Sequence, residues 1–82
     1  MVELDVLERR IRAGVPEVEV VTIEDLTGGK DHFRAVVVSG AFRGKSRIDQ
    51  HRLVHAALGE LLAGPVHALS IETHTPESWA KR

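Results

Sequence analysis

Two stretches dense in β-branched residues, 18–23 (Val-Glu-Val-Val-Thr-Ile) and 32–39 (His-Phe-Arg-Ala-Val-Val-Val-Ser), flank the segment Leu26-Thr-Gly-Gly-Lys-Asp31. β-branched side chains favour extended backbone, and a glycine pair between two such stretches supplies turn chemistry. The spacing predicts a hairpin with a glycine-bearing loop, and the rest of the chain must pack against it.

Leu4, Leu7 and Ile11 recur at helical spacing, with Glu8, Arg9, Arg10 and Arg12 on the other faces, until Gly14 and Pro16 stop the pattern. A first helix is therefore expected over residues 3–13. Gly40-Ala-Phe-Arg-Gly44 breaks the second strand. Ser46 then caps a helix whose apolar positions include Ile48, Val54, Leu58, Leu61 and Leu62 and which Gly64-Pro65 ends. Residues 66–73 read as a third strand, and Thr75-Pro76-Glu77 starts a short helix carrying Trp79, whose ring should cover one end of the core. The order is α-β-β-α-β-α. It predicts one α+β domain over residues 1–82, a three-stranded mixed sheet with helices on one face.

With 82 residues the chain can bury only about 60% of the surface its unfolded form exposes, so the core is modest. Eleven basic against twelve acidic residues give a formal charge of −1, which leaves no global field to recruit nucleic acid or an anionic membrane. No apolar run approaches the roughly 20 residues of a membrane span, and the N-terminus lacks the basic and apolar regions of a signal peptide. A cytoplasmic chain is the expectation. The absence of cysteine excludes disulfides, thiol nucleophiles and self-contained thiolate sites for zinc or iron–sulfur clusters.

Metal or switch chemistry must then run through the five histidines. His67 opens the third strand and shares parity with Leu69 and Ile71; by pattern alone it reads as a partly buried histidine satisfied by a backbone carbonyl. His51 falls on the apolar stripe of the long helix and reads as a core-edge histidine bonded to the neighbouring loop. His55 and His74 are expected in solvent. His32, just after the Gly28-Gly29 loop, either ends a hairpin or joins a metal bound elsewhere. No HExxH spacing surrounds His51, and four convergent ligands cannot be named.

Arg43, Lys45, Arg47 and Arg52 crowd the approach to the long helix, whose N-terminus adds positive potential. They form either a phosphate-binding strip or a solvated rim balanced by Asp49 and Glu60. The rim is favoured, because two Phe, one Trp and no Tyr leave little to stack bases. Ser39, Ser46, Ser70 and Ser78 lie in no nucleophile-elbow sequence, and so small a domain has little room for a cleft, so no enzymatic activity is expected.

Residues 33–39, Phe42-Arg-Gly44, Gln50-His-Arg52, Val66-His-Ala-Leu69 and Thr75-Pro-Glu-Ser-Trp79, in that order, resemble the BolA family across essentially the whole chain. The short Gly-Gly loop without cysteine is most similar to the family's IbaG-like bacterial branch. The resemblance implies a fold like that of class II KH domains and a role as partner of monothiol glutaredoxins. In such heterodimers a [2Fe-2S] cluster is held by the glutaredoxin cysteine, by glutathione and by histidine of the BolA-like chain, a position that falls on His67. Many members carry a second ligand, Cys or His, in the first hairpin loop. Here residues 26–31 hold neither, which leaves His32 or Asp31 as substitutes. Alone, the chain is expected to be a monomer or weak homodimer. The competing expectation is a KH-like DNA- or RNA-binding regulator acting through Arg43, Lys45, Arg47 and Arg52, although Gly40-Ala-Phe-Arg-Gly44 places three residues between its glycines, unlike a GxxG clamp.

Overall fold

The computed structural model describes residues 4–26, 28, 32–61 and 68–81. Helix α1 (Leu4–Gly14) buries Leu7 and Ile11, while the i,i+4 pairs Asp5–Arg9 and Glu8–Arg12 lie on its exposed side. Strand β1 (Val18–Asp25) pairs antiparallel with β2 (His32–Ser39), setting Val21 opposite Val37, Ile23 opposite Ala35 and Asp25 opposite Phe33. The ladder carries β1 two residues beyond the β-branched stretch. A bulge between Val18 and Val20 shifts the alternation by one, so that Val18 joins Val21 and Ile23 on the core side.

Ser39 ends β2 and fastens the next corner. Its buried hydroxyl donates to the Pro16 carbonyl at 2.6 Å and accepts from the Ala41 amide at 3.0 Å, capping a 3-10 turn (Gly40–Phe42) that drops Phe42 into the core. Ser46 then caps α2 (Arg47–Leu58) by accepting from the Asp49 amide, as expected. Val54 and Leu58 of α2 are buried, but Ile48 is 65% exposed and does not belong to the core stripe. At 3.6 residues per turn it lies about 120° around the helix from Val54, and the first inward-facing position is the polar Gln50 instead. Leu61 closes a further 3-10 turn (Gly59–Leu61) and packs against the core; Leu62, Gly64 and Pro65 lie outside the described residues.

Strand β3 (Ala68–His74) runs parallel to β2, with Phe33 beside Leu69, Ala35 beside Ile71 and Val37 beside Thr73. The sheet order β1-β2-β3 makes the predicted mixed sheet, with β2 central. Val21, Phe33, Ala35 and Val37 meet Leu7, Ile11, Phe42, Val54 and Leu58 in one core between the sheet and the two long helices. Close approach of those helices requires Gly14: a Cβ there would stand 2.5 Å from the Cβ of Ala57.

The one-sided helix layer holds for α1 and α2, and α3 (Pro76–Ala80) refines it. Thr75 caps α3 through the Ser78 amide, and the Trp79 ring lies 5.1 Å from the ring of His74. His74 has the opposite strand parity to Leu69, Ile71 and Thr73, so Trp79 covers the far side of the sheet, where the paired Val38 is fully buried. No helix among the described residues is long and apolar enough to cross a membrane.

Candidate functional site

His67 and Asp31 lie outside the described residues. Their described neighbours are the first residues of two adjacent strands: His32 begins β2, Ala68 begins β3, and the two are paired in the parallel register. The His32 side chain is exposed, while its carbonyl accepts from the Leu26 amide at 2.9 Å and closes the hairpin. His32 shares the parity of Arg34, on the face away from α1 and α2. Among the described residues no three His, Cys, Asp or Glu side chains converge as a metal site would require. Among the described residues, the exposed imidazole at this end of the sheet is that of His32.

The basic segment is less uniform than its sequence. Arg43 makes a two-pronged bond to Glu77 of α3, at 2.9 and 2.6 Å, which raises the guanidinium pKa and lowers that of the carboxyl. Arg52 reaches Asp49 at 3.4 Å. Glu60 does not balance this rim, because it pairs with Arg10 of α1 at 2.9 Å and its pKa is lowered by that bond. Among the described residues, Lys45 and Arg47 carry no ion pair. Gln50 holds the approach in place, its amide nitrogen donating to the carbonyls of Phe42 at 3.2 Å and Lys45 at 3.1 Å.

Between α2 and β3 runs a groove of about 400 Å³ lined by Arg47, His51, Ile71, Glu72, Thr73 and His74. His51 is half-buried there, as its position on the helix suggested, but it makes no hydrogen bond to a neighbouring loop among the described residues. Burial, then the neighbouring His55 and Arg47, lower its pKa and favour the neutral ring. His55 is exposed, as expected.

His74 is not in solvent. Its Nε2 lies 2.7 Å from Glu72, its Nδ1 lies 3.3 Å from the Ser78 hydroxyl, and its side chain is 20% exposed. Glu72 in turn accepts from Arg34 at 2.7 Å, and Arg34 also reaches Glu24 at 2.9 Å. The row Glu24–Arg34–Glu72–His74–Ser78 thus crosses all three strands and ends on α3. The hydrogen bond from His74, followed by that from Arg34, holds the Glu72 carboxyl below its ordinary pKa. Ser, His and Glu in sequence suggest a nucleophile relay, but the adjacent amides of Ser78 and Trp79 already donate to Thr75 and are not available to stabilise an oxyanion. The row ties α3 to the sheet. The even-numbered parity of Arg34, Glu72 and His74 was the sequence signal for it.

A family profile described as BolA-like protein matches residues 4–78. This chain belongs to the BolA family. BolA-like protein 1 of Bos taurus is 60% identical over 52 residues, which take in 63% of this chain and 38% of the bovine protein. The chain therefore spans about two-fifths of that mammalian relative's length. The DNA-binding transcriptional regulator BolA of Escherichia coli (strain K12) is 33% identical across 89% of this chain and 75% of its own length. Among solved structures, a bolA protein homologue from Coxiella burnetii is similar at a TM-score of 0.83 and 35% identity, covering 98% of this chain and 99% of that one.

Four of the residues that carry the likeness to BolA proteins have a structural task here. Phe42 fills the core, Arg43 reaches α3, Gln50 braces the segment before α2, and Thr75 caps α3. They fix the frame around the C-terminal end of β3 and the groove beside it.

Proposed function

We propose that this BolA-like chain is a partner of monothiol glutaredoxins in the cytoplasm, sharing a glutathione-ligated [2Fe-2S] cluster through His67 in iron–sulfur trafficking or iron and redox sensing. The observation that supports the reading is the pairing of His32 with Ala68, which brings the exposed start of β2 beside the residue that follows His67 in the chain, with His32 on the strand parity opposite to that of His67. His32 is the candidate second ligand. Without cysteine the thiolates must come from the glutaredoxin and glutathione, so the BolA-like chain contributes nitrogen donors to a site it cannot complete alone. Neutral imidazole ligands in place of thiolates raise the cluster potential and make retention sensitive to acid.

The test is to co-purify the chain with a monothiol glutaredoxin and glutathione and to record absorbance and circular dichroism in the visible range. His67→Ala should alter or abolish the bands, and His32→Ala should shift them if it is the second ligand. An unchanged spectrum for His67→Ala removes the proposal.

A second reading is a KH-like regulator that binds DNA or RNA through Arg43, Lys45, Arg47 and Arg52. Lys45 and Arg47, without an ion pair among the described residues and close to the N-terminus of α2, favour it, as does the description of the Escherichia coli relative as DNA-binding. It ranks second because Arg43 and Arg52 already have carboxylate partners.

A further inference from the structure

β3 is an edge strand. It pairs with β2 on one side, and among the described residues its other side makes no backbone hydrogen bond outside the ladder. Proteins commonly blunt such an edge with proline, a bulge or a covering element, because a row of unpaired amides and carbonyls is a template for another strand. Residues 68–74 contain no proline, and the register with β2 runs without a shift from Ala68 to His74. The edge is regular and ready to pair.

The surroundings of this edge select what can pair with it. One wall of the groove is Ile71, Glu72, Thr73 and His74, and the other is Arg47 and His51 on α2. Ile71 and Thr73 have the core-side parity, so the groove opens on the same side of the sheet as α2. The carboxylate of Glu72 is engaged by Arg34 and His74, whereas Arg47 and the nearby Lys45 have no acidic partner among the described residues. Among the described residues, the α2 wall of the groove therefore carries Arg47 without an ion pair, and Lys45 lies two residues before it in the chain. Ile48, the next residue of α2, is 65% exposed.

We infer that the free edge of β3 receives an extended acidic peptide segment as a fourth strand, its backbone pairing with β3 and its α2-facing carboxylates meeting Arg47 and Lys45. Main-chain bonds supply affinity in such strand addition, and alternate side chains supply specificity. A single nucleic-acid strand would share the charge complementarity but not the backbone ladder. Both phenylalanines are buried, so no Phe is available to stack bases in the groove. The inference stands apart from cluster sharing, which uses the opposite end of β3.

The probe is a capped peptide as long as β3 that alternates valine with glutamate, followed by amide chemical shifts and hydrogen exchange in the isotope-labelled protein. The expected result is shifts and slowed exchange confined to residues 69–74 and the first turns of α2. A lysine-for-glutamate peptide and a peptide N-methylated at alternate residues should bind at least about tenfold more weakly, the factor that one charge-assisted bond provides. Arg47→Glu should weaken the glutamate peptide by a similar factor. Arg47 is exposed and outside the core, and unchanged amide spectra elsewhere would verify that the variant folds. No shift up to about 1 mM peptide, the weakest specific affinity of interest, overturns the inference. So does equal binding of the lysine or N-methylated peptide, or tighter binding of an oligothymidine to the same amides.

Discussion

Thr73 on β3 donates its hydroxyl to the Oε1 of Gln50 on α2, and the Nε2 of the same amide donates to the carbonyls of Phe42 and Lys45. One side chain thus joins the edge strand, the long helix and the turn between them. Replacing Gln50 with Ala should lower stability by about 1–3 kcal/mol, because partly buried carbonyls and a hydroxyl lose their partner. Urea unfolding measures it, and a change under a few tenths would show that water substitutes fully.

Gly14→Ala should destabilise despite the better helix propensity of alanine. The new methyl would stand 2.5 Å from the Ala57 Cβ and 2.8 Å from its Cα, so α1 and α2 must separate. Overpacking of this kind costs about 1–3 kcal/mol, against about 1 kcal/mol gained in propensity. Ala57→Gly in the same chain should recover part of the loss, so a double-mutant cycle that shows strict additivity would reject the contact as the cause.

Acid should weaken the fold in two stages. His51 has a lowered pKa, chiefly from burial, so below about 6.5 the unfolded chain takes up a proton that the folded chain resists, and stability falls as pH falls. Glu72, Glu77 and Glu60 have lowered pKa values through His74, Arg43 and Arg10 respectively; their contribution is present above about 4.5 and is lost as pH drops through the folded-state values. Glu60 and Glu77 are exposed and Glu72 is only partly buried, so the second stage is modest. Urea midpoints across this range provide the check. His51→Gln should flatten the first stage while leaving the second.

Duplex DNA binding, if present, should depend on salt only weakly. Each neutralised phosphate contributes about −0.9 to the slope of log affinity against log salt. Lys45 and Arg47 together would give a slope of about −2, while engagement of all four cations would give about −4. Arg43 and Arg52 are held by Glu77 and Asp49, so the shallower slope is expected. Fluorescence anisotropy over a salt series distinguishes them, and a steep slope that Arg43→Ala relieves would show that the fork to Glu77 opens on binding.

The hairpin, both long helices and the two caps at Ser46 and Thr75 were legible in the chain because each rests on local chemistry: β-branched density, helical spacing, and a hydroxyl three residues before an amide. Ile48 was misplaced because hydrophobicity was weighed before angle, and the helix turns Gln50 inward instead. His74 was misread although Glu72, Ser78 and Trp79 are near in sequence, because strand parity does not show that the turn at Thr75 folds α3 back over the face His74 occupies. The uneven basic strip could not be read either, since Arg43 and Glu77 lie far apart in sequence and meet only when α3 folds back. Blocks such as Gln50-His-Arg52 carried family identity before their mechanical roles were visible.

The parallel register of β2 with β3 also sets an order of events. The β1–β2 hairpin closes over a short loop, whereas β3 can join only after the whole of α2 has crossed between them, so its contacts carry the larger closure entropy. β3 should therefore be the last strand to settle during folding and the first to exchange its amides in the native state. A partner that docks on it would complete the final step of assembly, and its arrival would be felt as slowed unfolding of that strand before any change in the rest of the molecule.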